Sequence, residues 1–214
     1  MEVKAIKFGE SYFTERWATK DGDPNKRCDI VFLVYLITHG DKKILVDAGC
    51  ETMPGFEMRN FCGTVAALER ENVTPEEITD VIITHSHHDH VECVKYFKNA
   101  VIHIQKDEYE DGRKYIPDGF RVNIFDEEET LYDVIKAVKI GGHSKGSCVV
   151  EFAVDEKKCV IVADECYLAE YFERNAEIAR LDGSVLYEKF FKKYGGGEYL
   201  VLYSHDECCY RELP

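Results

Sequence analysis

Thr84-His85-Ser86-His87-His88-Asp89-His90 holds four of the chain's eight histidines beside a carboxylate, and the rest of the chain is interpreted from it. Just upstream, Asp80-Val81-Ile82-Ile83 is short, apolar and β-branched, the composition of a buried strand. The order His-x-His-x-Asp-His therefore falls where the chain leaves a strand. Two apart in extended chain, His85 and His87 point the same way and can grip one metal ion. Asp89 and His90, where the chain turns off, can reach a second ion beside it. Imidazoles with one carboxylate suit a borderline divalent cation, zinc first, then iron or manganese. A solvated histidine tract of merely compositional origin needs no such ordered spacing.

Further candidates follow other apolar runs. His143 sits in Gly141-Gly142-His143-Ser144-Lys145-Gly146-Ser147, Asp164 follows Cys159-Val160-Ile161-Val162-Ala163, and His205 follows a run ending at Tyr203. Singly, each has an ordinary alternative as a turn former or core-edge residue. Together they make seven candidate ligands with His85, His87, Asp89 and His90, more than one tetrahedral site uses.

Strands are expected over residues 3–8, 29–38, 43–48, 80–83, 100–105, 134–140, 147–154, 158–163 and 199–203. His39-Gly40-Asp41 would close a hairpin between the second and third. Helical spacing covers 59–71, 91–97, 167–180 and 183–194, and Thr74-Pro75-Glu76-Glu77 has the look of a helix start. The turn-rich stretch 11–28 is expected to be a loop. No repeat, low-complexity tract or linker divides the chain, so one domain over 1–214 is expected. Paired strands with helices at intervals suggest an α/β arrangement of two sheets back to back under helices.

The 27 basic and 41 acidic residues leave a net charge of −14, which argues against nucleic acid and for a small-molecule substrate. The lysine pairs at 42–43, 157–158 and 192–193 are short and scattered. Nine cysteines without a Cys-x-x-Cys, no apolar run near the ~20 residues of a membrane span and no signal-peptide h-region at the N-terminus lead to an expected cytoplasmic protein with reduced thiols. Cys93, Cys148 and Cys159 lie in apolar runs as small core residues. The oligomeric state leaves no mark on the sequence.

With Asp47 in Leu45-Val46-Asp47-Ala48-Gly49, the heptad, the Gly-His-Ser-x-Gly-Ser turn at 142–147, Asp164 and His205, the chain resembles the metallo-β-lactamase superfamily over residues 29–206. The resemblance implies an αββα four-layer sandwich with a dinuclear metal site at one edge of the two sheets. It would place His85, His87 and His143 on one ion, Asp89, His90 and His205 on the other, and Asp164 between them. Asp47 would orient a ligand. Tyr167, three residues past Asp164, is similar to the tyrosine that faces the substrate carbonyl in N-acyl-homoserine lactonase-like metallohydrolases. It fits equally as an apolar residue opening a helix with Leu168 and Tyr171.

The function so implied is a metal-dependent hydrolase in which a metal-bridging hydroxide attacks an ester or lactone carbonyl. Tyr167 would steady the oxyanion and Asp89 would pass a proton to the leaving group. The alternatives are a thioester hydrolase like glyoxalase II, a small-molecule phosphodiesterase, or a metal-bound sensor or binding module without turnover. A flavodiiron-type redox module would need a carboxylate where His87 stands. His88, out of step with the alternation, is expected to point away from the metals, and His39 and His103 to be structural.

Overall fold

From Ile30 to Ile37 every side chain is apolar and buried, which no strand with a wet face allows. In the computed structural model, which describes residues 1–179 and 184–211, this run is the middle of β2 (Arg27–His39). It pairs antiparallel with β1 (Glu2–Thr14) and with β3 (Lys42–Val46), forming the expected hairpin. β4 (Asp80–Ile83), β5 (Val101–Gln105) and β6 (Arg121–Phe125) continue the sheet in parallel, in the order β1-β2-β3-β4-β5-β6.

The second sheet is made of β7 (Glu128–Leu131), β8 (Ile135–Lys139), β9 (Cys148–Val154), β10 (Lys157–Ile161) and β11 (Leu200–Leu202). Its order is β11-β10-β9-β8-β7, antiparallel except for the parallel β10/β11 pair. One buried apolar cluster draws on both sheets. Helices flank it: α1 (Glu15–Ala18), α2 (Thr64–Arg70), α3 (His88–Val91), α4 (Lys106–Gly112), α5 (Ala169–Glu173), α6 (Ser184–Tyr194) and α7 (Glu207–Arg211). α2 packs on β1, and Tyr194 of α6 donates to Glu151 of β9 at 2.6 Å. The architecture is the expected αββα sandwich.

The sheets are also tied through their backbones where the candidate ligands emerge. β3 pairs only with Tyr35 to His39 of β2, so the N–H groups of Val31 and Leu33 are free for other partners. They donate to the carbonyls of His205 and Ser204 at 3.1 and 3.0 Å. Cys148, opening β9, donates to the Thr84 carbonyl at 2.9 Å. The chain just past β11 and β4 is thus held to the opposite sheet.

Several expectations need correcting. Residues 11–28 are not one loop: β1 runs to Thr14 and α1 follows. Ser11 and Phe13 are buried while Tyr12 and Thr14 are not, a period-two pattern disguised by polar residues. The expected helix over 59–71 starts only at Thr64, because Asn60 and Gly63 have positive φ (47° and 76°). Over 167–180 the helix shrinks to α5, ended where Asn175 turns left-handed at φ 52°; residue 180 lies outside the described residues. Thr74 caps a 3-10 turn at Pro75–Glu77 rather than a longer helix, and α3 passes into another at Glu92–Tyr96. Strands β6 and β7 and helices α4 and α7 were not anticipated.

Candidate metal centre

β3, β4 and β5 run parallel, and so do β10 and β11, so their C-terminal ends collect at one edge of the sandwich. Asp47 follows β3, His85 follows β4, Asp164 follows β10 and His205 follows β11, while His143 lies in the loop between β8 and β9. Ala163 takes φ 47°, a strained value for alanine that turns the chain just before Asp164.

The seven candidate ligands come together in two groups. His85, His87 and His143 converge with Asp164, and Asp89, His90 and His205 form the other group. His87 Nδ1 lies 3.0 Å from His85 Nε2 and 2.8 Å from His143 Nε2. Asp164 stands between the groups. Its Oδ2 faces His143 and His85 at 3.4 and 3.6 Å, and its Oδ1 faces His205 and His90 at 3.0 and 3.2 Å. The Asp89 carboxylate reaches His90 and His205 at 3.6 and 3.9 Å.

The ring partners settle which nitrogen has a proton. His205 Nδ1 lies 2.9 Å from the Val31 carbonyl, which can only accept, so Nδ1 is the N–H. His90 Nδ1 lies 2.7 Å from the Asp47 carboxylate, which also accepts. In the neutral ring each Nε2 then offers a lone pair, yet both face Asp164 Oδ1, another acceptor. His90 Nε2 has no hydrogen-bond partner among the described residues. Acceptors converging in a buried site fit a cation between them. Without one, the rings are driven to take up protons. Burial opposes this for His90, but Asp164 and Asp47 raise it well above the usual imidazole range. Burial likewise opposes the rise at His205, which Asp164 drives. Asp164 is held well below the usual carboxylate range: burial works against this and the imidazoles of His90, His205, His143 and His85 override it. His85 is pushed well below the usual range by burial and by His90.

Tyr167 does not open a helix. It sits at a bend between the extended Cys166 and Leu168, linking a 3-10 turn at Ala163–Glu165 to α5, and it is buried. Its hydroxyl lies 3.5 Å from His143 Nδ1, and its ring lies against His205, Phe13 and Trp17 at centroid distances of 5.6, 5.7 and 5.7 Å. A cavity of ≈ 100 Å³ opens here, lined by His87, Asp89, Asp164, His205 and Tyr167 together with Phe13, Trp17, Phe32 and Phe56. His88 faces away, contacting Thr52 and Glu92. His103 pairs with the buried Asp80 at 3.0 Å, and His39 ends β2.

Sequence reasoning missed several supporting groups. Thr84 donates twice to Asp47, from its N–H at 2.8 Å and its hydroxyl at 2.9 Å. Glu165 accepts from the N–H of Gly142 at 3.2 Å and from the Ser147 hydroxyl, and burial pushes its carboxyl up to about 7. Glu108 accepts from both ligand loops; its one signal was two acidic residues following Gln105, the composition of a helix first turn. Of the aromatic lining, Phe13 and Trp17 left no signal, because they lie in the stretch 11–28 expected to be a loop.

The profile of the Metallo-beta-lactamase superfamily matches residues 33–170. The N-acyl homoserine lactonase AiiB of Agrobacterium fabrum is 24% identical over 221 residues, covering 83% of this chain and 80% of that one. An N-acyl homoserine lactonase of Bacillus cereus is 26% identical over 189 residues, covering 76% and 74%. Among solved structures, an N-acyl homoserine lactone hydrolase with N-hexanoyl-L-homoserine bound at its catalytic metal centre superposes with a TM-score of 0.84 at 18% identity, over 96% of this chain and 93% of that one. The dizinc quorum-quenching lactonase AidC gives 0.78 at 19% identity, over 96% and 87%. These structures share the fold, and the profile spans well over half the chain. The protein belongs to the metallo-β-lactamase superfamily.

Proposed function

We infer that the chain is a single-domain hydrolase of esters or lactones that works with two divalent cations, zinc by preference. The observation that carries this reading is the Asp164 carboxylate, which turns one oxygen to each group of imidazoles. His85, His87 and His143 would hold one cation, Asp89, His90 and His205 the other, with Asp164 shared. Bound there, the cations supply an acidified water as nucleophile and polarise the acyl carbonyl.

The chain's own residues do the rest. The Tyr167 phenol, at the cavity wall beside His143, donates to the oxygen on which charge develops. Asp89, half-buried at the cavity, accepts the proton released by the attacking water and delivers it to the leaving alkoxide. Phe13, Trp17, Phe32 and Phe56 bind the apolar arm of the substrate and keep bulk water out.

The test is a hydrolysis panel of lactones, carboxylic esters, thioesters, lactams and phosphodiesters on protein whose metals have been quantified. N-acyl homoserine lactones belong in it because relatives are named for them. Two metal equivalents with fastest turnover of lactones or esters is the expected result. A single equivalent, unchanged on adding zinc, iron or manganese, would sink the two-cation reading. Faster turnover of thioesters or phosphodiesters would move the function to those classes, and two metals without turnover would leave a binding module.

A further inference from the structure

Outside the candidate ligands, one buried carboxylate stands at the junction of two loops that carry them. Glu108, in the first turn of α4, is 3% exposed. Its Oε2 accepts from the N–H and the hydroxyl of Ser86, both at 2.8 Å. Its Oε1 accepts from the Ser144 hydroxyl at 2.6 Å and the Gly146 N–H at 2.8 Å. Ser86 lies between His85 and His87, and Ser144 directly follows His143. One carboxylate thus joins the two loops whose three imidazoles face one another.

Close packing supports the same junction. A Cβ at Gly146 would lie 2.1 Å from Gln105 Oε1 and 3.0 Å from Glu108 Cγ, and one at Gly112 would lie 3.0 Å from Ser86 Cβ. Next to Glu108, Asp107 pairs with Lys139 and Lys145 at 2.9 and 2.8 Å and pins the far side of the His143 loop. None of these contacts reaches the other group. His90 is held by Asp47 and His205 by the Val31 carbonyl.

We propose that Glu108 is a positioning residue for one cation alone: it sets the spacing of His85 and His87 against His143, and so the affinity of that site. The proposal rests on the two-cation reading above. Its energetic basis is that a carboxylate filled by four donors fixes two loops at once, whereas a neutral amide presents its NH₂ to donors on one side. The consequence is an asymmetry. Loss of Glu108 loosens the three-histidine site and spares the site of Asp89, His90 and His205.

The test uses the full chain stripped by a chelator, then titrated with zinc against a competing chromophoric chelator. Amide hydrogen exchange across residues 84–90 and 141–147 is followed in parallel. Wild type should take two equivalents. In Glu108→Gln one of them should weaken by about 10- to 100-fold, the range for losing a group that orients a ligand. The other should not change, and the Ser86 and Gly146 amides should exchange faster. Glu108→Asp keeps the charge but is one methylene short of spanning both loops; it should show the same pattern, and it replaces the glutamine variant if that one does not fold. Equal weakening of both equivalents, no weakening, or unchanged amide exchange overturns the proposal. Fewer than two equivalents in wild type instead overturns the two-cation reading, and Glu108 is then judged on the amide exchange.

Discussion

A neutral histidine whose Nδ1 proton is already given to an acceptor, the Val31 carbonyl for His205 and the Asp47 carboxylate for His90, has only a lone pair left at Nε2, and this constraint makes both informative. Both lone pairs meet Asp164, so in the two-cation reading Asp164 is the residue on which the two halves of the site would depend. Asp164→Ala should abolish turnover and lower metal content toward one equivalent or less, read by kinetics on the best substrate and by elemental analysis. Retention of more than about a tenth of the activity, a barrier change under ~1.4 kcal/mol, would contradict that role. Tyr167 makes a sharper case, because it lines the cavity with its hydroxyl 3.5 Å from His143 Nδ1. Tyr167→Phe should lower kcat by about 10- to 1000-fold, the scale of one lost oxyanion donor, at unchanged metal content. A buried ring that serves only packing would tolerate phenylalanine with full kcat.

Loops at strand ends were the readable part of this molecule. A strand written in Val and Ile announces itself, and a histidine or aspartate just past it stands out, so all seven candidate ligands could be named without coordinates. What surrounds them could not. The carboxylate of Glu108 acts from a seven-residue helix with too few turns to show periodicity, and β1 hides its alternation behind Ser11 and Thr14. Strands β6 and β7 are short, with all but the last residue of each exposed or partly so, and they lack an apolar run. At the opposite ends of β4 and β5, Asp80 accepts from Tyr132 in the β7/β8 turn at 2.6 Å and faces His103 at 3.0 Å. That carboxylate joins one sheet to the other. Asp80→Asn should destabilise the fold by about 1–3 kcal/mol, the cost of under-satisfying buried polar partners. Burial would raise the Asp80 carboxyl, but His103 and Tyr132 hold it below the usual range. Its contribution is therefore complete above about pH 4, the unfolded value, and is lost as the pH falls through the lower folded value. The acid limb of a melting-temperature profile should be steeper in wild type than in the variant.

Across the whole molecule, the two groups of candidate ligands come from both sheets. His85, His87, Asp89 and His90 follow β4 of the first, while His143, Asp164 and His205 come from the second. Cations shared by such a set would bind the native fold and not the unfolded chain. At a free concentration a thousand times its Kd, each bound ion contributes about 4 kcal/mol. At about 2–4 °C per kcal/mol for a chain of this size, protein stripped of two such ions should melt about 15–30 °C lower, and zinc should restore it. Equal melting temperatures with and without metal would show that the sheets need no ion to hold them. Trp17 adds a practical consequence. It is the chain's single tryptophan, and it stands at the cavity wall, 37% exposed, with its ring 5.4 Å from that of Phe13 and 5.9 Å from that of Phe56. All indole fluorescence from this protein therefore originates at the rim of the site. A ligand that fills the cavity should displace water from that indole and shift its emission to the blue, giving a label-free signal for occupancy that needs no turnover.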